Sequence, residues 1–463
     1  IACFFVLFAP VASNAGGGAE VRPIDEAEPN LLFGLSGDPD TLDPHATTGT
    51  LTFQSMRNVY ETLIEHDGEG GYKPLLAERW ETGEDLKSIT FHLRRNVMFH
   101  HGKEFMADDV AASLQRLKDP EFASPSAHEY EVIESINTVD SHTIELKLSE
   151  PSAPLMATLA SGWSAILPAG LIQSGHNFNI EPIGTGPFQV SSWVRGSEIV
   201  LSRFANHWEQ DAPAVSEVRF KIIPERAVQA QALMQGQLHV ADLLVEPELS
   251  MIRDHPETTI YQAQSALVMV LAMNTRRAPL DDLSVRQGIN AAIDKQLVMD
   301  RAYAGGVVVG SFMDPGSPFY VDYSNIYDFS PDEAEEKISN AEFPRELVLA
   351  LPQNYEPHVR AGELYHEMLR QAGVPVRIQL VDWSTWISDV YTDANFDMTV
   401  IGHTGKLDPD GRLAGYGTGE SYVNWENERA ASLIETARSV VNFEERKELY
   451  AEALEIMARE VPQ

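Results

Sequence analysis

The chain has 463 residues, too many for a single hydrophobic core, so two or three domains are expected. Its 34 Lys+Arg against 69 Asp+Glu give a formal net charge of −35, which argues against nucleic acid or anionic lipid as a partner. Hydrophobic content of 43% is that of a globular protein, and the lone cysteine, Cys3, leaves no basis for disulfides or cysteine chemistry.

Residues 1–12 (IACFFVLFAPVA) form an apolar run of signal-peptide length, and Ser13-Asn14-Ala15 offers small residues for cleavage. The run is too short for a span of roughly 20 apolar residues. Residues 1–15 therefore read as part of a signal peptide whose start precedes the sequence, and they imply a periplasmic or extracellular protein. A lipoprotein signal ending at Cys3 is disfavoured, because the apolar run continues past it. Residues 16–28 read as a flexible lead-in.

A strand is expected at 31–35. The stretch DPDTLDP (38–44) is turn-rich, with two prolines fixing φ and aspartates able to close Asx turns. Thr47-Thr48-Gly49-Thr50 can present amides and hydroxyls to a ligand, or cap the helix predicted over 53–64, whose apolar face carries Met56, Val59, Tyr60 and Leu63. A strand over 88–93 follows. His100 and His101 are adjacent, and neighbours on a strand face opposite ways, so a turn entering at Gly102 accounts for them better than a metal does. Asp108 is the expected N-cap of the next helix. Residues 132–139 and 143–148 predict a hairpin around Asp140-Ser141, and 151–159 predict a helix. Ile183-Gly184-Thr185-Gly186-Pro187-Phe188 is a glycine-rich turn before a strand at 188–193, without the Gly-Lys-Ser/Thr ending of a phosphate loop. Strands at 215–223 and 240–245 flank a helix over 225–235.

Residues 265–275 (SALVMVLAMNT) contain an unbroken apolar run, which suits a strand buried on both faces. With the elements before it this strand is expected to build a mixed α/β first lobe and to make the first passage into a second, with the working cleft beside it. The alternative is an ordinary core strand within one lobe. Downstream, Asp282 and Ser330 stand at helix starts. Strands at 347–351, 376–381 and 398–401 alternate with helices at 358–371 and 384–391, a βαβ pattern that predicts a parallel sheet. Ligands gather at the carboxyl ends of such strands. Two loops fall there, Gln353-Asn354-Tyr355 and Gly402-His403-Thr404-Gly405-Lys406. Helices over 426–440 and 442–460 run to the end without a closing strand, so a further segment is expected beyond Gln463.

Several blocks carry a family resemblance: DPDTLDP (38–44), VYETLIEHDGEG (59–70), PLLAERWE (74–81), TFHLRRNVMFHHGKEFMADDVAASLQRL (90–117), IGTGPFQV (183–190), MNTRRAPLDDLSVRQGINAAIDK (273–295) and SYVNWENERAASLIETAR (421–438). In order and spacing they resemble the family 5 solute-binding proteins of ABC transporters, the dipeptide, oligopeptide and nickel class. The resemblance implies an α/β, two-lobe periplasmic-binding-protein-like fold, type II, of the large class with an inserted subdomain. Lobe one would comprise 31–54 and 181–273, the insertion 55–180, lobe two 274–455, and 456–463 the start of a return to lobe one. It also implies a monomer without cofactor or catalytic residues, which closes on a small solute, an oligopeptide above all, by hinge motion and delivers it to ABC permease subunits.

By the same resemblance Thr48 and Gly49 would face the ligand from lobe one, and Tyr355, Trp383, Gly402, His403 and Thr404 from lobe two. Backbone pairing to a loop like 402–405 would give affinity without strong side-chain choice. The chain departs from the dipeptide binders at two charge anchors. They carry an Asp for the peptide amino group just after a Gly-Trp-Thr-Gly-like turn; here the turn has His403 in the Trp position, then Lys406-Leu407, and is one residue shorter before Asp408-Pro409-Asp410. Gln353-Asn354 stand where they place an Arg for the carboxylate. A longer peptide, an oligosaccharide, or nickel with His403 as a contact are therefore alternatives to a dipeptide. A sensor built on the same clamp, or an exported hydrolase, are alternatives of other kinds. The hydrolase lacks a Gly-x-Ser-x-Gly elbow, a His-Glu-x-x-His motif and a cysteine nucleophile.

Overall fold

A computed structural model describes residues 30–463 apart from 69, 210–212, 243, 245–247, 264, 304 and 405–407. The expected signal peptide at 1–15, with Cys3, and Gly405 and Lys406 of the second loop lie outside the described residues. The chain divides between Tyr261 and Gln262 into two units.

In the first unit, β1 (Asn30–Leu35) precedes β2 (Ile64–His66), β3 (Tyr72–Pro74), β4 (Ala77–Thr82), β5 (Ser88–Leu93), β6 (Ile133–Asp140), β7 (Thr143–Leu148), β8 (Phe188–Val194), β9 (Glu198–Arg203), β10 (Glu217–Ile222) and β11 (Val240–Ala241). They build a mixed sheet of order β11-β1-β10-β9-β8, an antiparallel sheet of order β4-β5-β7-β6, and the pair β2-β3. The predicted hairpin is β6–β7, paired antiparallel. Leu35, Leu201 and Phe220 from the mixed sheet share one continuous core with Phe91, Ile144 and Leu146 from the antiparallel sheet. Among the described residues, the stretch expected as an insertion has its own sheet but no separate core.

Two local expectations are corrected. The helix predicted over 53–64 is Thr50–Met56, and Ile64 already belongs to β2. The glycine-rich turn explains why. Gly186 and Phe188 donate their N–H groups to the carbonyls of Val59 and Asn58 at 3.0 Å each, taking those carbonyls out of a helical ladder. A Cβ at Gly184 would run into the Val59 carbonyl oxygen, and one at Gly186 would lie 2.6 Å from that of Asn58. Only glycine lets the two backbones approach this closely. The second correction concerns Asp108. The helix Ala107–Lys118 starts at Met106, and Asp109, not Asp108, accepts from the Met106 N–H at 2.8 Å and the Ala169 N–H at 2.7 Å.

The second unit holds β12 (Val268–Met273), β13 (Leu347–Pro352), β14 (Val376–Val381) and β15 (Met398–His403) in the order β12-β15-β13-β14. β13 runs parallel to β14 and to β15, as the βαβ pattern predicts, with the helix Glu356–Gln371 between β13 and β14. The strand at 265–275 does not complete the first unit's mixed sheet. It is β12, antiparallel to β15 from Val268 opposite His403 to Met273 opposite Met398. Its alternation explains the placement. Val270 and Ala272 enter one hydrophobic core of this unit, and Leu271 and Met273 enter another. A strand apolar on both faces needs a core on each side, and this sheet has one on each.

Candidate functional site

The parallel strands of the second unit release the chain at one end of the sheet, and there the expected contact residues collect. β13 leads into Gln353, Asn354 and Tyr355, all exposed, before the helix Glu356–Gln371 begins. β14 leads through Asp382 into Trp383. The Asp382 carboxylate accepts from Ser384 Oγ at 2.5 Å, Thr385 N at 3.0 Å and Thr385 Oγ1 at 2.8 Å. These bonds hold its carboxyl well below the usual range and fix the start of the helical turn that carries Trp383.

Trp383 stacks on Trp386 with ring centroids 5.0 Å apart and planes 1° from parallel. Trp386 is the anchor. It is buried, and its indole N–H donates to Thr399 Oγ1 of β15 at 2.9 Å; that hydroxyl donates to the Ala350 carbonyl of β13 at 2.7 Å. The stretch Trp386–Thr392 is a π-helix, whose bonds span five residues, so Tyr391 comes over Trp386 at 6.0 Å. Tyr355 meets Trp383 edge-on at 5.1 Å. Tyr355, Trp383 and Tyr391 are 41%, 37% and 53% exposed. The result is an exposed aromatic shelf on a buried, hydrogen-bonded support.

At the end of β15, Gly402 and His403 are half-buried and Thr404 is exposed. His403 Nε2 lies 2.8 Å from Tyr422 Oη, and Phe312 meets the imidazole edge-on at 5.1 Å. Burial, then the nearby charge of Arg412, pushes the His403 pKa down to about 4, so the ring is neutral at neutral pH. Among the described residues no group of three or more His, Cys, Asp or Glu is placed to hold a metal ion.

In the first unit, Thr48 is exposed, and Gly49 is the N-cap of Thr50–Met56 without a side-chain cap. The loop is held from beneath. Thr47 Oγ1 accepts from Gly49 N at 2.7 Å and donates to Asp40 Oδ2 at 2.6 Å, while Asp40 Oδ1 accepts from Thr52 Oγ1 at 2.8 Å.

The model of the bacterial extracellular solute-binding proteins, family 5, matches residues 71–423, most of the chain. The chain belongs to that family. It is 28% identical to the dipeptide-binding protein of Escherichia coli (strain K12), covering 93% of this chain and 88% of that one. Among solved structures, the PBP AgaA of A. tumefaciens R10 in complex with agropinic acid is 28% identical with a TM-score of 0.77, covering 94% of this chain and 90% of that one. The substrate-binding protein CtaP of Listeria monocytogenes, 20% identical, shares the fold with a TM-score of 0.84, covering 94% and 91%. The fold is therefore the α/β fold of periplasmic binding proteins, and the relatives are binding proteins rather than enzymes.

For a family 5 protein the acidic residues after the 402–407 loop are occupied. Asp408 is buried and takes both donors of Arg446, at 2.5 and 2.7 Å. Asp410 pairs with Arg438 at 2.9 Å. Neither carboxylate is free to meet a ligand's amino group, in keeping with the departure seen in the sequence. The residues missed from sequence are the support and its neighbours: Trp386, Tyr391, Tyr422, Phe312 and Arg412. The spacing of Trp383, Trp386 and Tyr391 was visible, but a π-helical turn is needed to bring the last of these over the second. Tyr422 and Phe312 reach His403 only through tertiary packing, which leaves no local pattern.

Proposed function

We infer that this family 5 protein captures a peptide or peptide-like solute outside the cytoplasm and hands it, unaltered, to the membrane subunits of an ABC importer. The observation that carries the reading is the aromatic shelf of Tyr355, Trp383 and Tyr391 beside exposed Thr404, at the strand ends where a parallel sheet gathers ligands. Thr404 and its neighbours offer backbone groups to a peptide main chain, and the shelf offers flat apolar area to its side chains. Thr48 and Gly49 are the candidate contacts on the first unit. The relatives named above, a dipeptide binder and a protein solved with agropinic acid, fit a small organic solute. Among the described residues no helix is long and apolar enough to cross a membrane.

The test is a thermal-shift screen of the purified protein against peptides, sugars and metal ions, followed by mass spectrometry of the released solute. A peptide at 100 times its Kd should add about 2.7 kcal/mol of stability. It should be recovered intact. A shift with sugars or metal ions alone, or recovery of a cleaved product, would overturn the reading.

A further inference from the structure

Arg412 is 7% exposed, and two of its guanidinium nitrogens, Nε and Nη1, are buried without a hydrogen-bond partner. The third, Nη2, donates to the Ala266 carbonyl at 2.8 Å. Ala266 lies just before β12, whose first residue pairs with His403, so the guanidinium sits at the β15 end of the sheet. The Phe312 ring, which also meets His403, is 5.4 Å from its central carbon. Among the described residues no acidic side chain forms an ion pair with it. Asp408 and Asp410 belong to Arg446 and Arg438. Asp314 attracts it electrostatically but forms no ion pair with it among the described residues, and accepts from the Gly316 N–H at 3.1 Å instead.

A buried guanidinium with open donors is costly to keep, because desolvation is not offset by a partner. Its geometry says which partner would fit. Nη2 has two hydrogens and Ala266 occupies one. Whichever it takes, one edge of the guanidinium, Nε with Nη2 or Nη1 with Nη2, keeps a donor on each nitrogen. Two parallel donors on a rigid plane match the two oxygens of a carboxylate. His403 is neutral at neutral pH and adds no positive charge of its own near Arg412.

We propose that Arg412 is a carboxylate anchor of the binding site, holding an acidic group of the solute through two N–H···O bonds at the β15 end of the second unit. The assignment rests on the solute-binding reading above and narrows its ligand to an acid. It also places the anchor away from Gln353 and Asn354.

Calorimetry on the whole protein tests it with a panel of free-acid di- and tripeptides, hydroxy acids and sugar acids, each paired with its amide. At least one acid should bind, with its amide roughly 30-fold weaker or worse, the loss expected when a buried charge pair loses one partner. Arg412→Gln should lose the acid to the same extent, so that the acid–amide difference seen in the unaltered protein collapses. Arg412→Lys, which keeps the charge but not the fork, should fall between them. If acid and amide bind alike, or Arg412→Gln binds the acid as the unaltered protein does, the anchor is wrong while solute binding stands. If no acid or amide binds but another solute does, the anchor is again wrong; if nothing binds, the solute-binding reading falls with it. Should Arg412→Gln fail to fold, the acid–amide comparison on the unaltered protein still decides. So do the Arg412 guanidinium N–H resonances, at least one of which must move with a bound acid and not with its amide; if all stay in place the assignment is overturned.

Discussion

Asp38, Asp43 and His100 of the first unit all close onto partners within that unit, whereas Tyr355, Trp383 and Thr404 of the second stand exposed at the ends of its strands. Asp38 accepts from Trp193 Nε1 at 3.0 Å and Gly196 N at 2.6 Å. Asp43 takes both donors of Arg116, at 3.0 and 2.6 Å. His100 uses both ring nitrogens on the glycine-rich turn, toward Gly186 O at 2.9 Å and Gly184 N at 3.2 Å. These residues fall in the motifs that carry the family resemblance, yet they hold the fold. The difference teaches that a motif can mark a family through its architecture, and it leaves the less patterned residues at strand ends as the proposed seat of ligand choice.

Acid should break the first side of this comparison with the largest effect. Burial pushes the pKa of His45 down to about 4, helped by the charge of Arg116, and burial does the same to His100. Both start from an ordinary value of 6.5, so the unfolded chain takes up protons before the folded one does. Their contribution is fully present above about pH 6.5 and is lost as pH falls toward 4. At about 1.4 kcal/mol per pK unit, the two together should cost on the order of 3 kcal/mol between pH 7 and pH 5, with a like loss from His358 and His403 of the second unit, read from urea midpoints. A midpoint that holds steady over that range would contradict the buried, neutral assignment.

Gly184→Ala comes next. Its Cβ would press on the Val59 carbonyl, so a stability loss of about 2–3 kcal/mol is expected from denaturation curves. Wild-type stability in this variant would mean that the turn and residues 58–59 are not closely packed. Trp383→Ala should show the smallest stability change, about 1 kcal/mol, because its ring is partly exposed and only its stack on Trp386 is lost. Its solute affinity should fall roughly tenfold, about 1.4 kcal/mol. Equal affinity in calorimetry would remove Trp383 from the site and blur the contrast between the units.

Much of the fold was legible because its signals are local. The apolar alternation of 143–148 and the βαβ spacing of 347–401 each specify an element without reference to the rest of the chain. The helix over 53–64 was overextended because Val59, Tyr60 and Leu63 keep helical spacing although tertiary bonds claim the carbonyls of Asn58 and Val59. The strand at 265–275 is buried on both faces, as its apolar run predicts, but belongs to the second unit rather than the first lobe, since burial on two faces does not say which neighbour supplies the pairing. Tyr355 and Trp383 were reached through the family resemblance, and their exposure fits a contact role. Arg412 was invisible, because an arginine's lack of partners is a property of packing, not of spacing.

The central claim is that solute is held by the strand-end residues of the second unit. Hydrogen–deuterium exchange, with and without a saturating peptide chosen from the thermal-shift screen, tests it most directly. Slowed exchange should concentrate at 353–355, 382–386 and 401–404, with a second footprint at 48–49. Protection confined to the antiparallel sheet of β4 to β7, or no protection with the peptide bound, would contradict the account.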